Sequence, residues 1–334
     1  MATERNDRSP GEGQMSETLD DIRNACREVA SRAVHVRITL SKLSEYGTAL
    51  PLQGATSPLL DPAHHYLGRD ADTVSFVLTL DAINFGSGYF PHLRKRPGLS
   101  GYFTIATCLT ERFQTHRPFS AEELCRITAE DCAGLFGQDL DGGPRSELMS
   151  LFAQALNDLG GYVLDRFSGS FTRLVGAASG SADHLVRILA EMPFYRDVES
   201  YGDLRVPFYK RAQLTAADLS LAFGGVGYGQ FADIDRLTIF ADNLVPHVLR
   251  VDGILQYDDA LAHRIDQGEL LPAGSAEEVE IRACALHAVE LLVQSLRAAD
   301  QDVTAHGLDY LLWNRGQQPY YKARPRHRTR TVYY

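Results

Sequence analysis

The segment Leu237-Thr-Ile-Phe-Ala-Asp-Asn-Leu-Val-Pro246 carries a short apolar run, Leu237 to Ala241, into a carboxylate, and a helical pattern begins straight after it. Asp242 stands where a helix N-cap would stand, and Pro246 falls in the first turn, where a missing N–H is tolerated. The apolar approach excludes water, while the positive end of a helix favours a negative charge. A carboxylate placed in this way and facing a cleft can stabilise or attack a developing cation. The plainer role for the same residue is an ordinary cap, because Asp is a preferred N-cap in any fold.

Three further segments hold unusual combinations. In Asp81-Ala-Ile-Asn-Phe-Gly-Ser-Gly-Tyr-Phe-Pro91, Asp81 and Asn84 offer a carboxylate and an amide. Phe85, Tyr89 and Phe90 offer flat apolar faces, and Gly86 and Gly88 let backbone approach a ligand closely. A planar heterocycle is bound by such a set, stacked on the rings and read along its edge; a core turn with aromatic filler uses the same residues. In Val206-Pro-Phe-Tyr-Lys-Arg-Ala212, Lys210 and Arg211 lead into a helix, where cations oppose the macrodipole. A phosphate there would gain from both cations and the free N–H groups, the alternative being a solvated pair. In Leu308-Asp-Tyr-Leu-Leu-Trp-Asn314, Asp309 and the only Trp of the chain, Trp313, are four apart and share a helix face, as part of a site or of a core.

Other chemistries lack their residues. His64 and His65 are adjacent, so their rings point apart, and no His-x₃-His or Cys/His set occurs; neither a metal nor any other cofactor is expected. Gly224-Gly-Val-Gly-Tyr-Gly229 lacks both the following Lys-Ser/Thr and a preceding strand, so it reads as a helix stop. No Gly-x-Ser-x-Gly elbow is present. The five cysteines are scattered without Cys-x-x-Cys spacing, which points to reduced thiols and a cytoplasmic protein. No apolar stretch approaches a membrane span, and the polar residues 1–15 read as a flexible tail, not a secretory signal.

The formal net charge of −10 argues against a surface that coats nucleic acid. The end of the chain is different: Lys322, Arg324, Arg326, Arg328 and Arg330 occur without an acid from Tyr320 to Tyr334. A basic disordered tail is the usual form of such a run. Its last residues, Thr331-Val-Tyr-Tyr334, are more useful packed than loose, so a docked segment carrying basic groups over the body is expected.

These groups must be positioned by a chain of 334 residues that is 44% hydrophobic and 23% charged, ordinary values for a globular protein with a sizeable core. A 3.6-residue period predicts helices over Thr18 to Arg32, Tyr102 to Arg112, Ser120 to Thr128, Ala129 to Phe136 and Ser146 to Leu159, the last ended by Gly160-Gly161. Ser120-Ala-Glu-Glu123 is a capping box. Further helices are expected over Tyr162 to Phe167, Phe171 to Ala178, Ala182 to Met192, Gln213 to Phe223, Asn243 to Val251, Asp258 to Gln267, Ala276 to Ala299 and Thr304 to Asn314. His35 to Leu40 alternates like a strand, Val74 to Leu80 reads as strand or helix, and Gly54 to Gly68 as loop. The expected architecture is a mostly α, compact multi-helix body with few short strands. Residues 16–334 would form one helical domain around a central cleft, with two sub-lobes as a variant of that plan.

Taken together, six pieces resemble the queuosine salvage proteins, the queuosine 5′-phosphate N-glycosylase/hydrolase family. They are Phe76-Val-Leu-Thr-Leu-Asp-Ala-Ile-Asn-Phe85, Phe208-Tyr-Lys-Arg-Ala-Gln213, Thr238-Ile-Phe-Ala-Asp-Asn-Leu-Val-Pro246, Glu278-Val-Glu-Ile-Arg282, Leu308-Asp-Tyr-Leu-Leu-Trp313 and the Tyr-Tyr end. The resemblance spans nearly the whole chain beyond the tail. It implies a fold like that of helix-hairpin-helix DNA glycosylases and release of queuine, a 7-deazaguanine base, from queuosine 5′-monophosphate. It also implies Asp242 as the catalytic aspartate and Lys210 as its partner. Asp81, Asn84, Phe85, Arg211, Asp309 and Trp313 are the candidate substrate-binding residues. A small-molecule substrate is then expected, with no membrane and no stable nucleic-acid complex, and with the oligomeric state open. The competing classes are a tRNA- or DNA-binding module using the basic C-terminal segment and a catalytically silent nucleoside-binding protein in which Asp242 only caps.

Overall fold

The computed structural model describes residues 18–53 and 59–334; the expected tail over residues 1–15 and the start of the loop expected from Gly54 lie outside the described residues. In chain order the helices are α1 (Thr18–Arg32), α2 (Leu43–Ala49), α3 (Ala71–Ala82), α4 (Gly101–Thr115), α5 (Ala121–Leu124), α6 (Ala129–Phe136), α7 (Pro144–Phe167), α8 (Phe171–Ala177), α9 (Ala182–Leu189), α10 (Lys210–Ala222), α11 (Val245–Val251), α12 (Asp259–Asp266), α13 (Ala276–Arg297), α14 (Ala305–Gly316) and α15 (Pro319–Lys322). The strands are β1 (Val36–Ile38), β2 (Val198–Tyr201), β3 (Leu204–Pro207) and β4 (Leu255–Tyr257). The result is a mostly α body with few short strands.

Where the apolar period is clean, helices follow it. α1 buries Leu19, Ile22, Cys26 and Val29 on one face and packs along α13. The Ser120/Glu123 capping box forms at the start of α5, and Thr128/Asp131 builds a second one before α6. Two antiparallel pairs supply the strands: β1 with β4, Val36 opposite Tyr257, and the hairpin β2–β3, Tyr201 opposite Leu204. Glu280 of α13 joins them. Its carboxylate accepts the N–H groups of Val34, His35 and Val36 and the Tyr201 hydroxyl, so a fully buried acid ties β1 to the hairpin.

The structure corrects the sequence reading at four places. The segment that read as strand or helix is α3, buried on every side from Thr73 to Ala82. A helix enclosed all round shows no amphipathic period, which is why its type was ambiguous. Asp81 therefore stands in the last turn of α3, not in a loop. The helix expected over Ser120 to Thr128 stops at Leu124. Gly160 and Gly161 do not end a helix, because α7 runs through both to Phe167 and absorbs the separate helix expected from Tyr162. Gly160 is there for closeness: a Cβ on it would sit 2.6 Å from the Ala121 carbonyl oxygen and 2.7 Å from Cys125 N, in the α5 contact. Gly224, Gly225 and Gly227, by contrast, do close α10, all at positive φ.

The C-terminal segment is docked, as its aromatic end predicts. Leu271 N–H donates to the Arg328 carbonyl at 2.9 Å, Gly86 N–H to the Tyr334 carbonyl at 3.0 Å, and the buried Tyr334 hydroxyl to Glu278 at 2.9 Å. The strap lies so close to residues 86–88 that a Cβ on Gly88 would sit 2.2 Å from the Thr329 carbonyl oxygen.

The two adjacent glycines of α7 give a paired test. Gly160→Ala should cost about 1–3 kcal/mol by overpacking against backbone that cannot move aside. Gly161→Ala meets nothing within 4 Å and should stabilise by roughly 0.5–1 kcal/mol through helix propensity. Urea unfolding of the two variants reads the difference; equal effects would mean that α5 does not rest on Gly160.

Candidate active site

Residues 237–242 are buried up to the carboxylate yet belong to no helix or strand, so their backbone groups need side-chain partners. Three buried residues supply them. Gln213 of α10 accepts the Thr238 N–H at 2.9 Å and donates to the Phe208 carbonyl at 2.9 Å. Asp309 of α14 accepts the Phe240 N–H at 2.9 Å. Arg282 of α13 donates through Nε to the Ala241 carbonyl at 2.9 Å. Asp242 then follows at the cavity wall. Its Oδ1 accepts the N–H groups of Leu244 at 2.7 Å and Val245 at 3.1 Å. It thus caps α11 from three residues before Val245, and α11 starts two residues later than the expected Asn243. Both cap bonds fall on Oδ1, which leaves Oδ2 outside the cap.

Lys210 is set by the same framework. Tyr209 before it adopts a left-handed backbone, φ 47°, and Asp197 Oδ2 accepts the Lys210 N–H at 3.1 Å. Asp197 in turn holds Arg282 in a bidentate pair at 3.0 and 2.7 Å. Burial pushes the Lys210 ammonium below its ordinary value, with the Asp242 carboxylate as the chief opposing charge. One buried ion pair therefore positions both the carboxylate and the lysine.

Both residues line a cavity of about 720 Å³. Asn84 and Phe85 reach it from the turn after α3, Asp309 and Trp313 from one face of α14, and Tyr102 and Phe103 from α4. The Trp313 indole meets the Tyr102 and Phe103 rings edge-on at 6.1 and 6.0 Å, forming an aromatic wall. Of the sequence candidates, Asp242, Lys210, Asn84, Phe85, Asp309 and Trp313 are thus brought together around one space. The volume and the mixture of rings with a few polar groups suit a small planar molecule.

Asp218 of α10 also lines this cavity, and the sequence reading missed it, as a lone Asp in an amphipathic helix looks like a solvated one. It is buried. Desolvation, then the like charge of Asp81, raises its carboxyl well above the usual range, against Lys210. Asp309 is raised well above that range too, by burial first and the Asp242 charge second. These are carboxyls that burial favours in the protonated form, able to donate a hydrogen bond.

Two sequence candidates lie behind the wall. Arg211, next to Lys210, points the other way. Its guanidinium donates to the carbonyls of Asp81 at 3.0 Å, Ala82 at 2.6 Å, Val332 at 2.8 Å and Phe194, and rests against the rings of Phe85 and Tyr195. It satisfies the C-terminal carbonyls of α3 and pins the strap, which leaves little of it for a phosphate. Asp81 is fully buried and neither carboxylate oxygen finds a hydrogen bond. The nearby Thr215 hydroxyl is committed to the Arg211 carbonyl at 2.9 Å.

Burial pushes the Asp81 carboxyl up to about 7, against Thr215, Lys210, Asn84 and Arg211. The fold thus prefers Asp81 protonated. The stability this gives is complete below the ordinary value of 3.8 and is lost as pH rises through the folded value. Asp81→Asn should therefore flatten the fall in Tm between about pH 4 and pH 7. Calorimetric scans across that range check it; parallel curves for the two proteins would mean that Asp81 does not titrate there.

Among the described residues, no group of three or more His, Cys, Asp or Glu side chains is placed to hold a metal, and no helix is long and apolar enough to cross a membrane. A sequence model of the queuosine salvage protein family matches residues 64–334. A queuosine 5′-phosphate N-glycosylase/hydrolase of Sphaerobacter thermophilus is 36% identical over 314 residues, covering 92% of this chain and 96% of that protein. Proteins of the same description from Dictyostelium discoideum and Mus musculus are each 32% identical, over 264 and 284 residues. They cover 78% and 80% of this chain and 78% and 83% of their own lengths. With most of its length matched and the cavity assembled from the segments that carry the likeness, the chain belongs to the queuosine salvage protein family.

Proposed function

We propose that this protein hydrolyses the N-glycosidic bond of queuosine 5′-monophosphate, releasing queuine and ribose 5-phosphate. The observation that carries the reading is the Asp242 carboxylate, held by two backbone N–H groups at the wall of a ring-lined cavity with Lys210 beside it. The Sphaerobacter thermophilus queuosine 5′-phosphate N-glycosylase/hydrolase matches over 96% of its own length, which supports the same substrate class.

The chemistry follows from where charge develops. As the bond between ribose C1′ and the base nitrogen lengthens, its electron pair leaves with the base and C1′ becomes cationic. Asp242 Oδ2 faces that carbon and stabilises or captures the oxocarbenium ion. Water then forms the new C1′–O bond and loses a proton, while the base takes one up. A 7-deazaguanine has carbon where guanine has N7, so the departing charge spreads to the pyrimidine edge instead. The carboxyls of Asp309 and Asp218, whose protonated form burial favours, and the Asn84 amide are the donors this cavity offers to such an edge. Trp313, Tyr102, Phe103 and Phe85 supply the faces against which a flat base packs. The low dielectric of the buried site strengthens each of these contacts. Lys210 balances the Asp242 charge before the cation forms.

Asp242→Asn separates catalysis from capping. The Asn side-chain oxygen can still accept the Leu244 and Val245 N–H groups, so stability should change by less than about 1 kcal/mol. Loss of the charge that faces C1′ should cost on the order of 3 kcal/mol or more of transition-state stabilisation, about 100-fold or greater in kcat. Release of free base, followed by mass, reads the rate, and substrate binding should survive. Turnover near the wild-type rate would make Asp242 a cap and nothing more.

A further inference from the structure

We propose that Lys95, Lys322 and Arg326 form the anion-accepting end of the cavity and carry its selectivity for a 5′-phosphate over the unphosphorylated nucleoside. This assignment rests on the nucleotide reading above and deepens it. It moves the phosphate away from Arg211, whose two terminal guanidinium nitrogens already donate to four carbonyls behind the cavity wall.

Most basic groups near this end of the cavity are committed elsewhere. In Arg94-Lys95-Arg96, Arg94 pairs with Asp139 and Arg96 with Glu111, while Lys95 between them faces the cavity. On the strap, Arg324 folds over the Tyr320 ring at 4.0 Å, Arg328 donates to the Gly268 carbonyl and Arg330 pairs with Glu147 at 3.7 Å. Lys322, Arg324 and Arg326 all line the cavity, but Arg324 is turned onto Tyr320, and among the described residues no carboxylate forms an ion pair with Lys322, Arg326 or Lys95. Arg326 and Lys322 lie near enough to Lys95 to disfavour its charge, after burial. Cations gathered at one end of a cavity without an ion-paired carboxylate suit a ligand of opposite charge.

Their placement is also fixed. Lys95 follows Arg94, whose N–H and C=O are both bonded to the Gln138 amide, at 2.8 and 2.9 Å. Arg326 precedes His327, which is buried and whose carbonyl accepts the Asn243 side chain at 3.3 Å. Asn243 is the neighbour of Asp242, and the Asp242 charge acts on Arg326. The carboxylate assigned to C1′ and the guanidinium assigned to phosphate thus lie on two segments bonded to each other. In ribose 5-phosphate C1′ and the phosphate are likewise joined by one furanose ring and one methyleneoxy link.

The test compares queuosine 5′-monophosphate with queuosine, using wild type, Lys95→Ala, Arg326→Gln and, as a control, Arg94→Gln. Loss of one charge-assisted contact should lower kcat/KM for the monophosphate by about 10- to 100-fold and leave that for the nucleoside unchanged. Arg94→Gln should leave the ratio of the two alone. Equal losses on both substrates, or an unchanged ratio in Lys95→Ala and Arg326→Gln, would overturn the assignment. Titration of ribose 5-phosphate against ribose by calorimetry is independent of turnover. If wild type cleaves neither substrate, the glycosidase reading fails, and this assignment then stands only if ribose 5-phosphate binds and Lys95→Ala and Arg326→Gln weaken it by about the same 10- to 100-fold.

Discussion

The buried pair between Arg282 and Asp197 is the contact on which the rest of this site depends. Both side chains are almost completely enclosed, at 0% and 2% exposure. Burial works against the guanidinium charge, and Asp197 and Glu278 more than offset it. The guanidinium lies over the Phe208 ring at 3.9 Å and near the Tyr334 ring at 4.8 Å. Such a pair contributes little net stability, because desolvation cancels much of the attraction, whereas losing one partner leaves an uncompensated charge. Its role is to specify an arrangement. Through Nε it fixes the carbonyl before Asp242, through Asp197 it fixes the first N–H of α10, and through Glu278 and Tyr334 it fixes the strap.

That arrangement explains why six separated stretches of sequence travel together. The run from Leu237 to Ala241 makes no ladder of its own, so three of its buried backbone groups are answered by side chains from elsewhere. Gln213, Asp309 and Arg282 are those side chains, and each belongs to a different stretch. Arg211 does the same for the end of α3, and Tyr334 closes against Gly86. Residues that looked like candidates for chemistry because they were polar within apolar surroundings therefore fall into two classes. Asp242 and Lys210 face the cavity; Arg211 and Asp81 serve or burden the scaffold behind it.

Sequence alone separates these classes poorly, for a geometric reason. Lys210 and Arg211 are adjacent on a helix, about 100° apart around its axis, so only one can face a given cleft. Which one does depends on the left-handed turn at Tyr209 and on Asp197, neither of which the local pattern reveals. Asp309 and Trp313 were easier, since a spacing of four puts them on one face whatever that face meets. Asp218 stayed hidden because its surroundings come from distant segments, and Lys95 because two paired arginines flank it. At the level of fold, α1 and α6 were legible from their period and the start of α5 from its capping box. The long α7 was not, since Gly160 answers to a neighbour and not to a helix end.

The charge layout of the cavity resolves an apparent conflict in composition. The chain carries a net charge of −10, and the cavity is lined by Asp218, Asp242 and Asp309 with Asp81 close behind. An anionic substrate would be expelled if all of these were ionised in a dry space. Burial raises Asp81, Asp218 and Asp309 toward the protonated form, and their mutual repulsion adds to the effect on Asp218. The cavity is therefore much less negative than its count of acids suggests, and the cations of the strap are not consumed in neutralising them. A negative pole can persist where a sugar cation would form while a positive one persists where a phosphate would sit. Desolvation, which makes each buried acid costly, is in this way the condition under which one small space would address both ends of the proposed nucleotide.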